Sequence, residues 1–348
     1  MLNSLEGTLL NKKNSRLSLL CAATLALAPR ISSAQQSAFL FDRASVPLQA
    51  RLKRFKLRWP LKALLLWNGK DRRFICVNPL TQKEFHNPVK LDKLTRTKKG
   101  NCANLSFAQL MGIPLYHARL VAASLESSDL TNANFAMSDL RSANLIKATS
   151  LGGTLFNGAN LSGAKLGSVS FQSPKMIKAI LEGSDMTNAI LPGADFSQAL
   201  LTKAKLDSSN IEGARFNGAA MENADLTGVD AKKNSKTEKA TDFSGARMEN
   251  VKFDGANLSG ANFSAANLTH ASFQDADLGE ANFSDANLKG ANLGAQILSW
   301  AHFDRADLRG AKITVPLTQA TLTGAIYDST TVLPFSDAEA QKLGMIKK

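Results

Sequence analysis

The feature that most constrains the fold is a sequence repeat of five residues. From Leu105 onward a small residue, usually Ala, is followed by Asn or Asp and then by Leu or Phe, as in Ala256–Leu258 and Ala261–Phe263. This period matches neither the 3.6-residue period of an α-helix nor the two-residue alternation of a β-strand. It fits a coil in which two residues of each repeat face inward and three face outward.

A second period of 20 residues lies within the first. It corresponds to four pentapeptides, so the simplest geometry is a coil of square cross-section with one repeat on each side. One row of large apolar residues keeps this spacing through a one-residue slip near Ser150–Gly153 and a seven-residue delay that matches the polar run Lys232–Glu238. We predict that this row, in which Met176 stands between Phe156 and Phe196, stacks as a ladder on one inner wall: Phe135, Phe156, Phe196, Phe216, Phe243, Phe263, Phe283 and Phe303.

The repeats predict a solid rod. Leu and Phe in one inward row and Ala in the other leave no lumen for a ligand, because protein interiors pack to near-crystalline density. With coils about 4.8 Å apart, ten coils would extend roughly 50 Å. Such a rod has contacts only between neighbouring coils, and its two open ends need covering.

The A-(N/D)-(L/F)-x-x pattern of residues 103–327 resembles the pentapeptide-repeat family. The resemblance implies an all-β solenoid, a right-handed quadrilateral β-helix, which we assign to residues 101–327 with an inserted loop at 232–239. Two residues depart from the pattern: Pro174 stands at a small inward position and Ser150 at a large one. The tail Tyr327–Ile346 looks like that of cyanobacterial members of the family.

The flanking segments predict caps on the rod. Residues 328–348 contain the capping-box pattern Ser336–Glu339, which predicts a short helix over Ala338–Leu343. Residues 35–100 predict a small α+β element: a basic amphipathic helix over 47–62, then a hairpin with a type I′ turn at Asn68–Gly69.

Residues 1–34 have the layout of a secretory signal, with Lys12 and Lys13 before the apolar run Leu17–Ala28 and a small-residue cleavage site at Ser32–Ala34. This predicts export to a periplasm or thylakoid lumen, or association with a membrane. A plastid-type transit peptide is the next interpretation, since Glu6 is the only acidic residue among residues 1–41. A cytoplasmic protein is the remaining alternative.

Charge separates the leader from the rod. Of 42 Lys and Arg and 29 Asp and Glu in the chain, residues 1–100 hold 20 and 5, which leaves 22 and 24 for residues 101–348. Arg51, Arg54 and Arg58 accompany the apolar face of the predicted helix over 47–62, so this helix could bind an anionic membrane surface. The alternative is a cap over the first coil with solvated charges.

Two further groups of residues are candidates for special roles. If the leader is removed, Cys76 and Cys102 remain, and a disulfide between them would join the hairpin to the first coil; two buried free thiols are the alternative. Residues 232–239 protrude from the rod and could bind a partner, or be a solvated insertion. The loop's candidate interaction residues are Lys232, Lys233 and Lys236.

Enzymatic chemistry is not indicated. The four histidines, His86, His117, His270 and His302, form no converging pair by the coil geometry, and phosphate-loop or nucleophile-elbow motifs do not occur. We therefore predict a non-catalytic protein-interaction scaffold with no cofactor and no metal.

Two alternatives to the scaffold remain open. One is a DNA-mimicking regulator of gyrase or another topoisomerase, a role the family resemblance suggests but one that needs a strongly acidic rod. The other is a binder of anionic membranes or, less favoured, of nucleic acid through residues 47–62. The identity of the protein partner is not indicated. A homodimer also stays open, because some family members dimerise end to end.

Overall fold

The structure, a computed structural model, describes residues 64–68, 73–78, 83–234 and 238–348. Several predicted features lie outside these residues: the leader 1–34, the helix over 47–62 with Arg51, Arg54 and Arg58, and Lys236. Within the described part, neither helix has the length and hydrophobicity that crossing a bilayer requires.

The described chain from residue 99 onward is a β-helical solenoid. Successive coils are joined by parallel bridges between residues 20 apart, such as Arg119 to Asp139 and Ser124 to Asn144. Each coil carries four such bridges, one per pentapeptide, so four ladders run along the solenoid. Only a few bridges extend into two-residue strands: β4 (Ala103–Asn104), β5 (Thr149–Ser150), β6 (Ser170–Phe171), β7 (Asn292–Leu293) and β8 (Lys312–Ile313).

The hydrogen bonds of one repeat, Ala143–Lys147, explain the sequence pattern. The Ala143 amide closes a turn onto the carbonyl three residues before it, and the Asn144 amide donates to the preceding coil. The Leu145 and Lys147 amides donate to the following coil. This leaves the Ile146 amide, which donates to Oδ1 of Asn144 at 3.1 Å. Asn or Asp is therefore favoured at this position because its side chain satisfies the one amide that the coil leaves over.

Each turn contains a residue in the left-handed region of backbone conformation. The second residue after the large apolar position has a positive φ, for example Lys147 at 58° and Gly163 at 63°. A turn with a positive φ at its third residue is of type II, which changes the chain direction at each corner. This turn interrupts the extended backbone every five residues, so the ladders consist of short bridges instead of long strands.

The interior is filled by the large and small apolar residues of the repeats. Phe243, Phe263 and Phe283 are fully buried and stack with ring centroids 4.9 and 5.0 Å apart. A second stack, Phe253 on Phe273 at 5.2 Å, lies on the neighbouring wall and meets the first edge-to-face. The sequence analysis identified only the first ladder.

The other members of the predicted ladder are also buried. Phe135 stacks on Phe156 at 5.2 Å, and Phe216 lies between Phe196 and Phe243 at 4.8 and 5.0 Å. The ladder ends with Phe283 on Phe303, whose ring centroids are 5.0 Å apart.

The slip and the insertion leave the ladders intact. Bridge spacing changes from 20 to 21 residues between Asp129–Thr149 and Asn134–Leu155, which locates the slip within residues 149–155. Arg215 pairs with Asp242, 27 residues away, so the insertion after Ala231 adds seven residues without breaking a ladder. The Asn234 amide donates to the carbonyl of Lys239 at 2.8 Å and closes the loop at its base.

The N-terminal element begins with an antiparallel hairpin of β1 (Leu64–Asn68) and β2 (Arg73–Val77). Asn68 pairs with Arg73, so the connection covers residues 69–72 and the predicted two-residue type I′ turn is wrong. A two-residue turn at 68–69 would place Arg72 opposite Leu65. The observed register places Cys76 there, and both residues belong to an apolar cluster against the solenoid. Burial of one face therefore selects the longer connection.

The stack of paired segments extends further in the N-terminal direction than residue 101. Strand β3 (Asn87–Pro88) pairs in parallel with β4. It is followed by helix α1 (Leu91–Thr97), which the sequence analysis missed. Leu94 of α1 is fully buried over the first coil and supplies the apolar cover that the open end requires.

The carboxyl end also extends past the predicted limit at residue 327. Strand β9 (Ile326–Tyr327) pairs in parallel with β10 (Ile346–Lys347), which returns to the stack after helix α2 (Asp337–Lys342). The helix begins one residue earlier than Ala338, and its N-cap Ser336 accepts a hydrogen bond from the amide of Glu339. Repeat periodicity could not reveal β10, because this strand lies outside the five-residue pattern.

Candidate interaction surface

The solenoid presents four outward faces, each made of the repeats that carry one ladder. Face 2 is the one whose ladder runs through Gln109, Asp129, Thr149, Ser170, Ile190, Asn210, Asp230, Asn257, Asp277 and Ile297. Faces 1, 3 and 4 carry the ladders that run through Asn104, Pro114 and Lys99. We call face 2 between residues 108 and 193, in the first five coils, the apolar face.

Exposed large apolar side chains concentrate on face 2. Of twelve in the described part of the chain, five lie there: Met111, Leu151, Ile190, Ile297 and Trp300. Phe107 stands at the corner that adjoins the apolar face, is 73% exposed and has a φ of 59°. A bulky aromatic residue in this backbone region is strained and exposes apolar surface to water, so folding alone does not explain its presence.

The apolar face is also almost free of charge. Its repeats contain one charged residue, Asp129, whereas the same five coils carry four on face 1, three on face 3 and five on face 4. Asp129 accepts hydrogen bonds from the amide and the hydroxyl of Thr131, at 2.9 and 2.7 Å. The carboxylate is thus engaged within its own turn, and the outward surface is polar-neutral and apolar.

Leu151 is the most exposed of these side chains, at 84%, and lies directly before the additional residue of the slip. The additional residue forms a local bulge that is held by the Ser150 hydroxyl. Its oxygen accepts hydrogen bonds from the Gly152 amide, at 3.1 Å, and from the Thr154 hydroxyl, at 2.6 Å. Gly153, with a φ of 72°, packs so close to Asn132 that a Cβ would lie 2.0 Å from its Oδ1. Ser150 therefore departs from the repeat because its hydroxyl anchors the bulge that follows Leu151.

Lys232 and Lys233 of the inserted loop are engaged in ion pairs. Lys232 bonds to Asp230 and Glu212, at 3.1 and 3.2 Å, and Lys233 pairs with Glu238 at 2.6 Å. The hydrogen bond to Asp230 is the main reason that the pKa of Lys232 is raised. These ion pairs form a charged border on face 2 beyond the apolar face.

The structure joins Cys76 to Cys102 by a disulfide, with Cα atoms 5.6 Å apart. Around it, Val121 and Ala122 are buried at solenoid positions that would otherwise face outward. The His86 imidazole lies 3.1 Å from the Ala122 carbonyl. The disulfide therefore holds the hairpin over one corner of the first coils.

Groups suited to metal binding do not occur among the described residues. The histidines stay apart: the His270 ring lies over Gly290, and His302 Nδ1 meets Thr321 Oγ1 at 3.2 Å. The Asp and Asn side chains of the ladders mostly accept hydrogen bonds from backbone amides in their own turns, as Asn144 does. Their role is therefore structural.

The repeats match two known sequence families. The family described as "Pentapeptide repeats (8 copies)" matches residues 115–145, 179–218 and 204–233, and the one described as "Pentapeptide repeat region" matches residues 246–321. The chain belongs to the pentapeptide-repeat family. No curated protein sequence matches it significantly.

Solved structures similar to this pentapeptide-repeat protein include HetL, which is involved in heterocyst differentiation regulation in the cyanobacterium Nostoc sp. strain PCC 7120. HetL is 28% identical, the match covers 62% of this chain and 92% of HetL, and the TM-score is 0.31. A pentapeptide repeat protein of the Arabidopsis thaliana thylakoid lumen is 27% identical, over 34% of this chain and 70% of its own, with a TM-score of 0.18. The plasmid-mediated fluoroquinolone resistance protein QnrB1 is 15% identical over 63% and 97%, with a TM-score of 0.27.

The sequence analysis missed the apolar face of this pentapeptide-repeat protein, although the signal is present in the sequence. Writing the repeats in rows of four aligns Met111, Leu151 and Pro192 in one column, at alternate coils. The same arrangement shows that Asp129 is the only charged residue of these five repeats.

Proposed function

We propose that this pentapeptide-repeat protein is a non-catalytic protein-interaction scaffold that binds its partner through the apolar face. The observation that carries the proposal is that exposed Met111, Leu151 and Ile190 share one face, which has a single charged residue where the other faces have three to five in the same five coils. Exposed apolar side chains gathered on one nearly uncharged face are a common feature of interaction sites. The partner itself is unidentified.

The charge of the solenoid favours a scaffold over a DNA mimic. Residues 101–348 carry 22 Lys and Arg against 24 Asp and Glu, so the rod is nearly neutral. A surface that competes with DNA for a basic saddle needs a strong excess of negative charge. Electrostatic mimicry of a topoisomerase substrate therefore has little support here.

We further propose that the solenoid is right-handed and that α2 caps its carboxyl end. We also propose that the protein works in an oxidising compartment after export. The Cys76–Cys102 disulfide supports the location, because disulfides persist mainly in oxidising compartments. The secretory layout of residues 1–34 supports it independently.

Site-specific photo-crosslinking tests the scaffold role. A benzophenone amino acid is placed at Leu151 in the full chain and, as the matched control, at Leu200, which is 44% exposed on face 4. We expect position 151 to crosslink one protein in the source organism and position 200 not to do so. Crosslinking to the same proteins from both positions, or to none from position 151, would contradict the proposed function.

A further inference from the structure

The hairpin β1–β2 covers a part of face 4 whose composition is matched to it. The two outward positions beneath it hold Val121 and Ala122, which are 3% and 5% exposed and belong to one apolar cluster with the hairpin. In the later coils of face 4, from residue 141 to residue 310, the same two positions hold polar residues, charged residues or glycine. The apolar pair therefore stands where the hairpin shields it from water.

The coils beneath the hairpin are held together without it. The Cys102 amide donates to the Val121 carbonyl at 3.0 Å, and the Ala122 amide donates to the Arg141 carbonyl at 2.9 Å. The open end of the first coil is covered by Leu94 of α1 and not by the hairpin. Because a solenoid has contacts only between neighbouring coils, release of the hairpin would leave these coils paired.

The attachment of the hairpin to the rod combines a disulfide with non-covalent contacts. The Phe74 amide donates to Ser142 Oγ at 2.9 Å, and the Arg141 guanidinium lies over the Phe74 ring, 5.1 Å from its centroid. The apolar cluster between hairpin and coils is small. A two-stranded hairpin is only marginally stable on its own, so the disulfide between Cys76 and Cys102 has a large share in keeping it closed.

The size of that share follows from the loop that the disulfide closes. The Asn87 amide donates to the Cys102 carbonyl at 2.7 Å, so the chain after the hairpin is anchored beside Cys102. The disulfide therefore closes the segment from Cys76 to Asn87. Closing a loop of about 11 residues removes enough chain entropy to favour the closed hairpin about a hundredfold. Reduction should raise the equilibrium constant for hairpin opening by this factor.

We propose that the hairpin is a redox-controlled cover of face 4, which is closed while Cys76 and Cys102 are oxidised and which a dithiol reductant releases. One thiolate of the reductant attacks one sulfur and forms a mixed disulfide, while the other sulfur leaves as a thiolate and takes up a proton. The second thiol of the reductant then attacks the mixed disulfide, so the protein gains two thiols and the reductant becomes a disulfide.

Both cysteines are 1% exposed, so the reductant attacks when the hairpin lifts locally from the coils. Release of the hairpin is independent of the scaffold role, because it uncovers Val121 and Ala122 on face 4 whereas the apolar face lies on face 2. In an oxidising compartment the closed hairpin is the resting state.

Amide hydrogen exchange of the full chain measures hairpin opening. All samples carry Cys21→Ser, so that Cys76 and Cys102 are the only cysteines. Oxidised protein is compared with protein in excess dithiothreitol and with the double variant Cys76→Ser, Cys102→Ser. We expect exchange in β1 and β2 to be about a hundredfold faster in the second and third samples, and unchanged in the central coils. Equal exchange of β1 and β2 in all three samples would overturn the proposal.

Carbene labelling with mass spectrometry distinguishes release from fraying on the rod. Val121 is shielded in the oxidised protein, and Leu200, which is 44% exposed on the same face, is the control. We expect reduction to increase the labelling of Val121 several-fold and to leave that of Leu200 unchanged. Faster exchange in β1 and β2 with Val121 still shielded would show that the hairpin frays without leaving the rod, which contradicts its release.

A titration with mixtures of reduced and oxidised dithiothreitol tests whether the disulfide can act as a switch in the folded protein. Alkylation of free thiols gives the reduced fraction, and far-ultraviolet circular dichroism follows the solenoid. We expect Cys76 and Cys102 to be reduced while the solenoid signal stays constant, and the protection of β1 and β2 to return on reoxidation. A disulfide that survives until the solenoid unfolds is a structural crosslink, and this result would rule out the switch.

Discussion

The stacked phenylalanines allow a direct measurement of what ring contact adds to burial. Phe263 touches four rings: Phe243 and Phe283 by stacking at 4.9 and 5.0 Å, and Phe253 and Phe273 edge-to-face at 5.6 and 5.9 Å. Phe303, on the same wall and equally buried, touches one ring, Phe283, at 5.0 Å. Replacing each by Leu keeps the site apolar and removes the ring.

The expected cost differs between the two sites. An aromatic pair contributes about 0.5–1.5 kcal/mol beyond the area it buries. At the low end, four lost pairs cost about 2 kcal/mol at Phe263 and one costs about 0.5 kcal/mol at Phe303. The change of shape adds about 1 kcal/mol at both. Phe263→Leu should therefore lower the free energy of unfolding by about 1.5 kcal/mol more than Phe303→Leu.

Urea unfolding followed by far-ultraviolet circular dichroism measures both variants. Tryptophan fluorescence must show the same unfolding transition, because repeat proteins can lose cooperativity along the rod. The m-value must also be unchanged, so that the midpoints of the transitions report stability. Equal losses of stability at Phe263 and Phe303 would refute the reasoning, since ring contacts would then add nothing to burial.

Three other predictions concern local features. Gly153→Ala should destabilise the protein more than Gly112→Ala in thermal unfolding, because both glycines have left-handed φ values but only the Cβ at 153 meets Asn132. Reduction of the disulfide should increase amide hydrogen exchange in β1 and β2 while the central coils stay protected, as expected when only local structure opens. Hydrogen bonds, chiefly from Thr330 Oγ1, lower the pKa of Asp328 to about 2. Protection of the Thr330 amide from hydrogen exchange should therefore be complete above pH ~4 and fall between pH ~4 and pH ~2. Asp328→Asn should remove that pH dependence.

The sequence predicts the solenoid well because the residue types of each repeat determine the geometry of that repeat. Ala, Asn and Leu in fixed order encode an inward small residue, a turn acceptor and a core residue, as Ala143–Leu145 shows. The spacing of 20 then fixes which coils meet, so Phe216 could be matched with Phe243 across the insertion. Periodicity carries this information because every coil repeats the same contacts.

The ends and the outer surface were harder to predict, for physical reasons. Helix α1 is only seven residues long, and its N-cap Lys90 makes no side-chain cap, so sequence signals for it are weak. Strand β10 pairs through its backbone, which any residue can do. The hairpin register depends on which hairpin residues are buried against the solenoid. Only the packed structure shows which residues these are. The bulge at residues 150–153 depends on hydroxyl contacts of Ser150 and Thr154, which the repeat pattern does not encode.

The insertion after Ala231 has a consequence for engineering. Seven additional residues leave at one corner and return to the same rows, and the bridges on both sides, such as Asn210–Asp230 and Asp230–Asn257, remain paired. Loop-closure entropy grows slowly with length, so a longer guest sequence at this corner costs little. The protein thus already contains a display site: a foreign epitope grafted between Asn234 and Lys239 would be carried on a rigid body without redesign of its interior.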